Sequence, residues 1–152
     1  MGREVRRVPK DWVHPKKGNS DRYQPMYDKD FESACIEWDE GYQKWKLEQE
    51  MEDCTYWEWE GNPPDREYYR PKWTDEERTH LMMYETTSEG TPISPAFETP
   101  EELSKWLADN GASSFGSSTA TYEQWLRVCN IGYAPSMIYS PETGLRSGVE
   151  GL

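Results

Sequence analysis

Between Thr79 and Asn110 the chain reads THLMMYETTSEGTPISPAFETPEELSKWLADN, and this run leaves few ways to fold. His80 to Thr87 is rich in Leu, Met, Tyr and Thr, which predicts a strand. With a period of two, His80, Met82, Tyr84 and Thr86 share one face and Leu81, Met83, Glu85 and Thr87 the other. Both faces are mixed, so the strand is central or covered on both sides. Gly90 then permits a positive φ, and Pro92 and Pro95 stiffen the turn. Ile93 to Phe97 fits a short edge strand, where proline is tolerated. Thr99-Pro100-Glu101-Glu102 is a strong helix start, with a threonine cap, proline at the first position and glutamate at the third. Leu103, Trp106 and Leu107 supply its apolar stripe, and Asn110-Gly111 closes it.

The remaining C-terminal residues repeat the pattern. GASSFGSSTA is a loop with Phe115 as its single anchor, and Thr121-Tyr122-Glu123-Gln124 is a second capping box. Tyr122, Trp125, Leu126 and Cys129 form the inner face of that helix, and Gly132 ends it. Ser136 to Tyr139 and Leu145 to Val149 read as two short strands around the turn Pro141-Glu142-Thr143-Gly144.

Upstream lies the clearest helix. Phe31, Cys35, Trp38, Tyr42 and Trp45 are spaced by alternate steps of four and three, which sets them on one helical face running on toward Gln49. Asp28 or Asp30 can cap it. Such a stripe is ordinarily core; a coiled-coil or partner seam is the less favoured reading. Thr74-Asp75-Glu76-Glu77 is a further capping box that opens a single turn. Before the helix, Pro9, Pro15 and Pro25 break periodicity, while Trp12, Tyr23, Met26 and Tyr27 are too apolar for a free tail. The first 27 residues therefore read as an irregular arm laid on the body, with Glu4 to Val8 as its one candidate strand. The expected class is α+β: a small antiparallel sheet with two short helices, plus a longer N-terminal amphipathic helix and the arm. The expected division is an arm at 1–27 and a single domain at 28–152, with an acidic aromatic region at 28–78 and sheet and helices at 79–152.

Charge is unevenly spread over the 152 residues, whose formal net charge is −12. Residues 1–17 hold six bases against two acids, whereas residues 28–78 hold 17 acids against seven bases. A net-acidic body repels phosphate, so direct binding to duplex nucleic acid is not expected. No apolar run of membrane-spanning length and no secretory leader is present, so a cytosolic protein without membrane contact is expected. Aromatic residues make up 14% of the chain, too many for a disordered one.

Chemistry-bearing motifs are scarce. There is no GxGxxG, Walker loop, GxSxG or HExxH. Cys35, Cys54 and Cys129 are widely separated and His14 and His80 lie far apart in sequence, so neither a metal site nor a cofactor is expected. His80 near Glu85 or Tyr84 is the one conceivable general base, and a structural role is preferred. No catalytic residue is assigned. Two surfaces remain. Tyr56, Trp57, Glu58, Trp59 and Glu60 interleave rings with acids, which suits a basic partner with the aromatics as anchors. Ser88, Glu89, Gly90, Thr91 and Ser94, with Ser113 and Ser114, form Ser/Gly loops whose free N–H and O–H groups would cradle a small ligand or nucleotide if they converged.

The residues ETTSEGTPISPAFETPEELSKWLADNGASSFG, then ATYEQWL, then GLRSGVE, together with the start MGREVRRVP, resemble a family of uncharacterised small proteins from tailed bacteriophages and prophages. The resemblance runs from about Thr79 to the end and includes the first residues. The acidic middle matches only in its general tryptophan and acid content. The resemblance implies an accessory protein made in the host cytoplasm and brings no activity or site residues with it. Two functions follow as expectations: a non-enzymatic acidic protein that binds and inhibits a host factor with a basic surface, such as a nucleic-acid-handling or defence protein, or a small-molecule or nucleotide binder, or an enzyme, using the Ser/Gly loops.

Overall fold

The computed structural model describes residues 2–47, 56 and 60–152. In chain order its elements are β1 (Gly2–Val8), β2 (Tyr27–Asp30), α1 (Phe31–Leu47), a 3-10 turn (Arg66–Tyr68), β3 (Tyr69–Arg70), β4 (His80–Glu85), β5 (Thr91–Pro92), α2 (Pro100–Asp109), α3 (Tyr122–Ile131), β6 (Tyr133–Pro135), β7 (Met137–Ser140), β8 (Gly144–Ser147) and α4 (Gly148–Gly151). Helices mixed with a four-stranded antiparallel sheet place it in the α+β class. The chain divides into two compact units, Met1–Pro25 with Trp73–Leu152, and Met26–Lys72.

In the first unit the sheet order is β5-β4-β1-β6. β1 and β4 pair antiparallel from Arg3↔Glu85 to Val8↔His80. The opening residues are therefore not part of an irregular arm; they form a central strand. The candidate strand Glu4 to Val8 is present, extended to Gly2, but local reading misses its central place because GREVRRV has no alternating apolar pattern and its partner strand lies far along the chain.

One face of the sheet carries the helices. Met83 packs there with Leu103, Leu107, Trp125, Val128, Cys129, Ala134 and Val149, flanked by Val5 and Leu81. Each fully buried side chain of this size contributes about 1.5–3 kcal/mol of transfer free energy. The helix starts fall where the sequence puts them. The Thr99 hydroxyl accepts from the Glu102 N–H at 3.2 Å. Thr121 accepts from the Gln124 N–H at 3.3 Å, and the Gln124 amide oxygen accepts from the Thr121 N–H at 2.8 Å. Burial pushes the Cys129 thiol up, so it stays protonated and inert.

The opposite face buries Val8, Met82 and Tyr84 under residues that include Trp12 and Trp73. A directed chain of hydrogen bonds fastens this cover. His14 Nε2 lies 2.6 Å from the Gln24 carbonyl, which can only accept, so Nε2 carries the proton. In the neutral ring Nδ1 must then accept, and the Tyr84 hydroxyl donates to it at 2.8 Å. The same hydroxyl accepts from the Trp12 indole N–H at 3.1 Å. Arg6 lies over the Tyr84 ring, 4.3 Å from its centroid. Burial holds the His14 pKa below its ordinary value, the Gln24 bond opposes this, and the nearby Arg6 charge adds to the lowering.

Two edges depart from expectation. The stretch Ile93 to Phe97 is not a continuous strand. β5 is Thr91–Pro92, and the ladder resumes only as an isolated bridge between Leu81 and Phe97. Between them the Ser94 hydroxyl accepts from the Met83 N–H at 2.9 Å, replacing a backbone carbonyl beside two prolines. The terminal hairpin β7–β8 turns between Ser140 and Gly144 as predicted, but β8 stops at Ser147 rather than running to Val149. Ser147 caps α4 by accepting from the Glu150 N–H at 3.2 Å. A Cβ at Gly148 would overlap the Pro135 carbonyl, so only glycine fits there.

In the second unit Asp30 caps α1, accepting from the Ser33 N–H and hydroxyl, each at 2.9 Å. The stripe stacks Trp38 on Tyr42 and Tyr42 on Trp45. Residues 48 and 49, the expected continuation of α1, lie outside the described residues. β2 and β3 form a short parallel pair, Tyr27↔Tyr69, that periodicity does not reveal. Tyr56 packs edge-on against Trp38 and Tyr42, and its hydroxyl donates to the Trp38 carbonyl at 2.9 Å. A Cβ on Gly41 would come within 2.5 Å of that hydroxyl. This explains a glycine in mid-helix despite its propensity cost of about 1 kcal/mol relative to alanine.

Two outcomes follow. The stability contributed by neutral His14 is fully present above about pH 6.5, the ordinary histidine pKa, and is lost as the pH falls toward the lower folded-state value, because the unfolded chain binds the extra proton. Urea unfolding between about pH 7.5 and 5.5 should show the wild type losing stability relative to His14→Gln. A constant difference across that interval would contradict the neutral-ring assignment. Gly41→Ala should destabilise the second unit by about 1–3 kcal/mol through overpacking against Tyr56, although alanine is the better helix former. Near-ultraviolet circular dichroism through thermal unfolding reads this out, and an unchanged or raised midpoint would contradict the packing.

Candidate functional site

Two regions concentrate groups able to meet a ligand, one in each unit. In the second unit carboxylates and rings of α1 face residues between Glu60 and Tyr69. A pocket of about 260 Å³ is lined by Lys29, Ala34, Glu37, Trp38, Glu60, Asn62, Pro64 and Tyr69. Helical spacing puts Ala34, Glu37 and Trp38 on one side of α1, and β3 brings Tyr69 to the opposite wall. Lys29 pairs with Glu37, both partly exposed. Glu60, also exposed, has no base among the described residues.

The electrostatics of this unit are one-sided. Residues 26–72 hold fourteen acids against six bases, a net −8. Three of the bases are already neutralised: Lys29 by Glu37, Arg70 by Asp28 at 2.9 Å and Lys72 by Glu32 at 2.6 Å. A fourth, Arg66, lies over the Phe31 ring at 4.6 Å. Among the described residues Asp39, Glu40 and Glu60 have no ion-pair partner, and all three are exposed. Exposed pairs of this kind add little to stability, so their effect is on the field.

The residues singled out from sequence for partner binding fare unequally. Trp57, Glu58 and Trp59 lie outside the described residues. Tyr56 is not a surface anchor: it is 3% exposed, its ring is enclosed by the α1 stripe, and burial pushes its phenol pKa up. Glu60 remains on the surface. Trp38, on a stripe read first as core and only second as a partner seam, and Tyr69, in the acidic aromatic region but not named as an anchor, both line the pocket. Their half-exposed state had no periodic signal.

The Ser/Gly loops sit in the first unit and are drawn toward one end of the sheet by Arg3. Its guanidinium donates to the Ser113 carbonyl at 2.9 Å and the Ser113 hydroxyl at 3.2 Å, and lies 3.9 Å from Glu85, whose strand neighbour is Thr91. Arg3 is 4% exposed, and burial lowers its pKa while Glu85 opposes the shift. The hydroxyls proposed as ligand donors are engaged internally. Ser88 bonds Thr91 at 2.6 Å, Ser94 donates to the Pro95 carbonyl at 2.9 Å, and Ser113 donates to the Gly116 carbonyl at 2.6 Å. Ser114 is fully buried and reaches Glu150 at 3.5 Å. Glu89 takes a left-handed turn conformation, φ 68°, and Gly90 follows at φ 114°. These groups build turns and a strap; they do not converge as a cradle with free donors.

His80 does not meet the groups considered for it. Glu85 lies five residues along β4 and so on the opposite face, and Tyr84 is about 13 Å along the strand and committed to His14. His80 Nδ1 instead contacts the Thr79 hydroxyl at 2.8 Å. Among the described residues no group of three His, Cys, Asp or Glu is arranged to hold a metal, and no helix is long and apolar enough to cross a membrane.

A second, larger concavity lies in the first unit, between residues 10–14, Tyr23, the β5 edge and Trp106 of α2, with a volume of about 750 Å³. Sequence reading placed Trp12 and Tyr23 as packing anchors and missed that they wall a cleft. No family model matches this chain, and no curated protein or solved structure matches it.

Proposed function

We propose that this is an accessory protein of a tailed bacteriophage or prophage. It acts in the host cytoplasm by binding a host protein with a basic, nucleic-acid-handling surface and inhibiting it, without catalysing a reaction. The observation that carries this reading is the residual negative field of residues 26–72, where most of the bases are spent on internal pairs or rings while Asp39, Glu40 and Glu60 remain unpaired among the described residues. Such a surface accelerates encounter with a basic partner and repels nucleic acid from the same face. The half-exposed rings Trp38 and Tyr69 beside Glu37 and Glu60 suit an arginine or lysine side chain of that partner. The phage origin rests on the sequence resemblance of residues 1–9 and 79–152, two segments that the β1–β4 pairing joins in one sheet.

Affinity capture from bacterial lysate with nuclease present, read by mass spectrometry, tests the reading. A basic nucleic-acid-handling protein should be enriched by the wild type. The combined variant Glu37→Gln, Asp39→Asn, Glu40→Gln, Glu60→Gln should associate with it at least about tenfold more slowly at low salt and lose most of the salt dependence. Equal association rates, with circular dichroism showing an intact fold, would contradict the assignment.

A further inference from the structure

We propose that the cleft in the first unit is a binding site for an uncharged, flat aromatic molecule of two or three fused rings. Its volume of about 750 Å³ falls within the range of small-molecule sites, roughly 300–1,000 Å³. The chemistry of the walls narrows the ligand. Three residues that look polar in sequence have spent their polar atoms elsewhere. The Trp12 indole N–H is donated to Tyr84, both His14 nitrogens are bonded, and the Ser94 hydroxyl both accepts from Met83 and donates to Pro95. Trp12 is further fixed edge-on to Trp73, with centroids 4.8 Å apart and planes at 78°. What these side chains offer the cleft is therefore carbon surface and ring faces held in place before any ligand arrives.

A peptide strand is not the occupant. The adjacent sheet edge carries Pro92 and Pro95, which have no N–H to donate to an added strand. An ion is not the occupant either. The charged side chains lining the cleft are Lys10 and Asp11, exposed neighbours of opposite sign whose fields offset, and the Lys16 ammonium is already seated over the Tyr23 ring, 3.7 Å from its centroid. Val13, 81% exposed at the mouth, extends the apolar surface outward. An open cleft walled by Trp12, Tyr23 and Trp106 suits a flat ring system, which stacks on or meets ring edges while leaving one side in water.

The test compares two fluorophores that share a flat three-ring system, uncharged 9-anthracenemethanol and anthracene-2-sulfonate, on the full-length protein. The neutral probe should bind at a single site with energy transfer from tryptophan. The sulfonate should bind at least about tenfold more weakly, because entering the apolar part of the cleft strips its hydration while Asp11 offsets the neighbouring Lys10 charge. Two-dimensional NMR of the wild type with the neutral probe should move the indole N–H signals of Trp12 and Trp106 and the amide of Ile93, and leave that of Trp125 in place. Tyr23→Ala should weaken binding several-fold with the Trp12 and Trp125 signals of the free protein retained. Equal affinity for the two probes, shifts centred on Trp38 or spread over the molecule, or no shift at saturating probe would each overturn the proposal.

Discussion

The pairing of β1 with β4 is the constraint on which the rest of the first unit depends. It places a strand of sequence GREVRRV at the centre of a sheet, and so carries Arg3 and Arg6 into the interior, 4% and 5% exposed. Buried guanidinium groups are costly unless hydrogen-bonded or paired. The surroundings are arranged to satisfy them. On the helix face the loop after α2 turns its Ser113 carbonyl and hydroxyl to Arg3. On the other face Arg6 bonds Glu4 at 2.5 Å and lies against the Tyr84 ring. Residues 9–25 then complete the cover through Trp12 and His14. A strand with an apolar inner face would need none of this, and the loop after α2 would lose its anchoring point on Arg3.

What could be read from sequence follows the range of the interactions involved. The helix starts at Thr99 and Thr121 are set by side chains three residues apart, and both were visible. The turn at Thr74 was visible too, with Thr74 and Glu77 exchanging bonds at 3.2 and 3.3 Å. The alternation along β4 correctly separated Met82 and Tyr84 from Met83. By contrast β1, β6 and the β2–β3 pair are defined by partners distant in sequence, and composition alone made the first of them look like part of an arm. The end of β8 was misplaced for another reason: Gly148 must pack on Pro135, a contact no local propensity encodes.

The candidate sites show the same division. An acidic, aromatic-rich middle was evident from composition, but which rings are buried was not. Tyr56, alternating with acids in sequence, is held inside by Trp38, Tyr42 and Trp45, while Trp38 and Tyr69 line a pocket. The serines of the two loops looked available because sequence cannot show Arg3 and the turn partners using them. The cleft beside β5 was hidden because its walls come from the N-terminal segment, the β5 edge and α2, and because Trp12, His14 and Ser94 spend their polar atoms on internal partners. The two units thus offer different chemistries, a negative field with half-exposed rings in one and a neutral aromatic cleft in the other.

Native-state hydrogen exchange tests the central claim most directly. If β1 is the centre of the sheet, the Val5 amide, which donates to the Gly132 carbonyl at 2.8 Å, and its β1 neighbours should exchange as slowly as those of Met82 to Tyr84 in β4, with free energies reaching that of global unfolding. If the β1 amides exchange in the fast class of loops and termini while the β4 amides remain protected, the N-terminal segment is a peripheral arm. Arg3 and Arg6 would then not be held in the interior by a central strand.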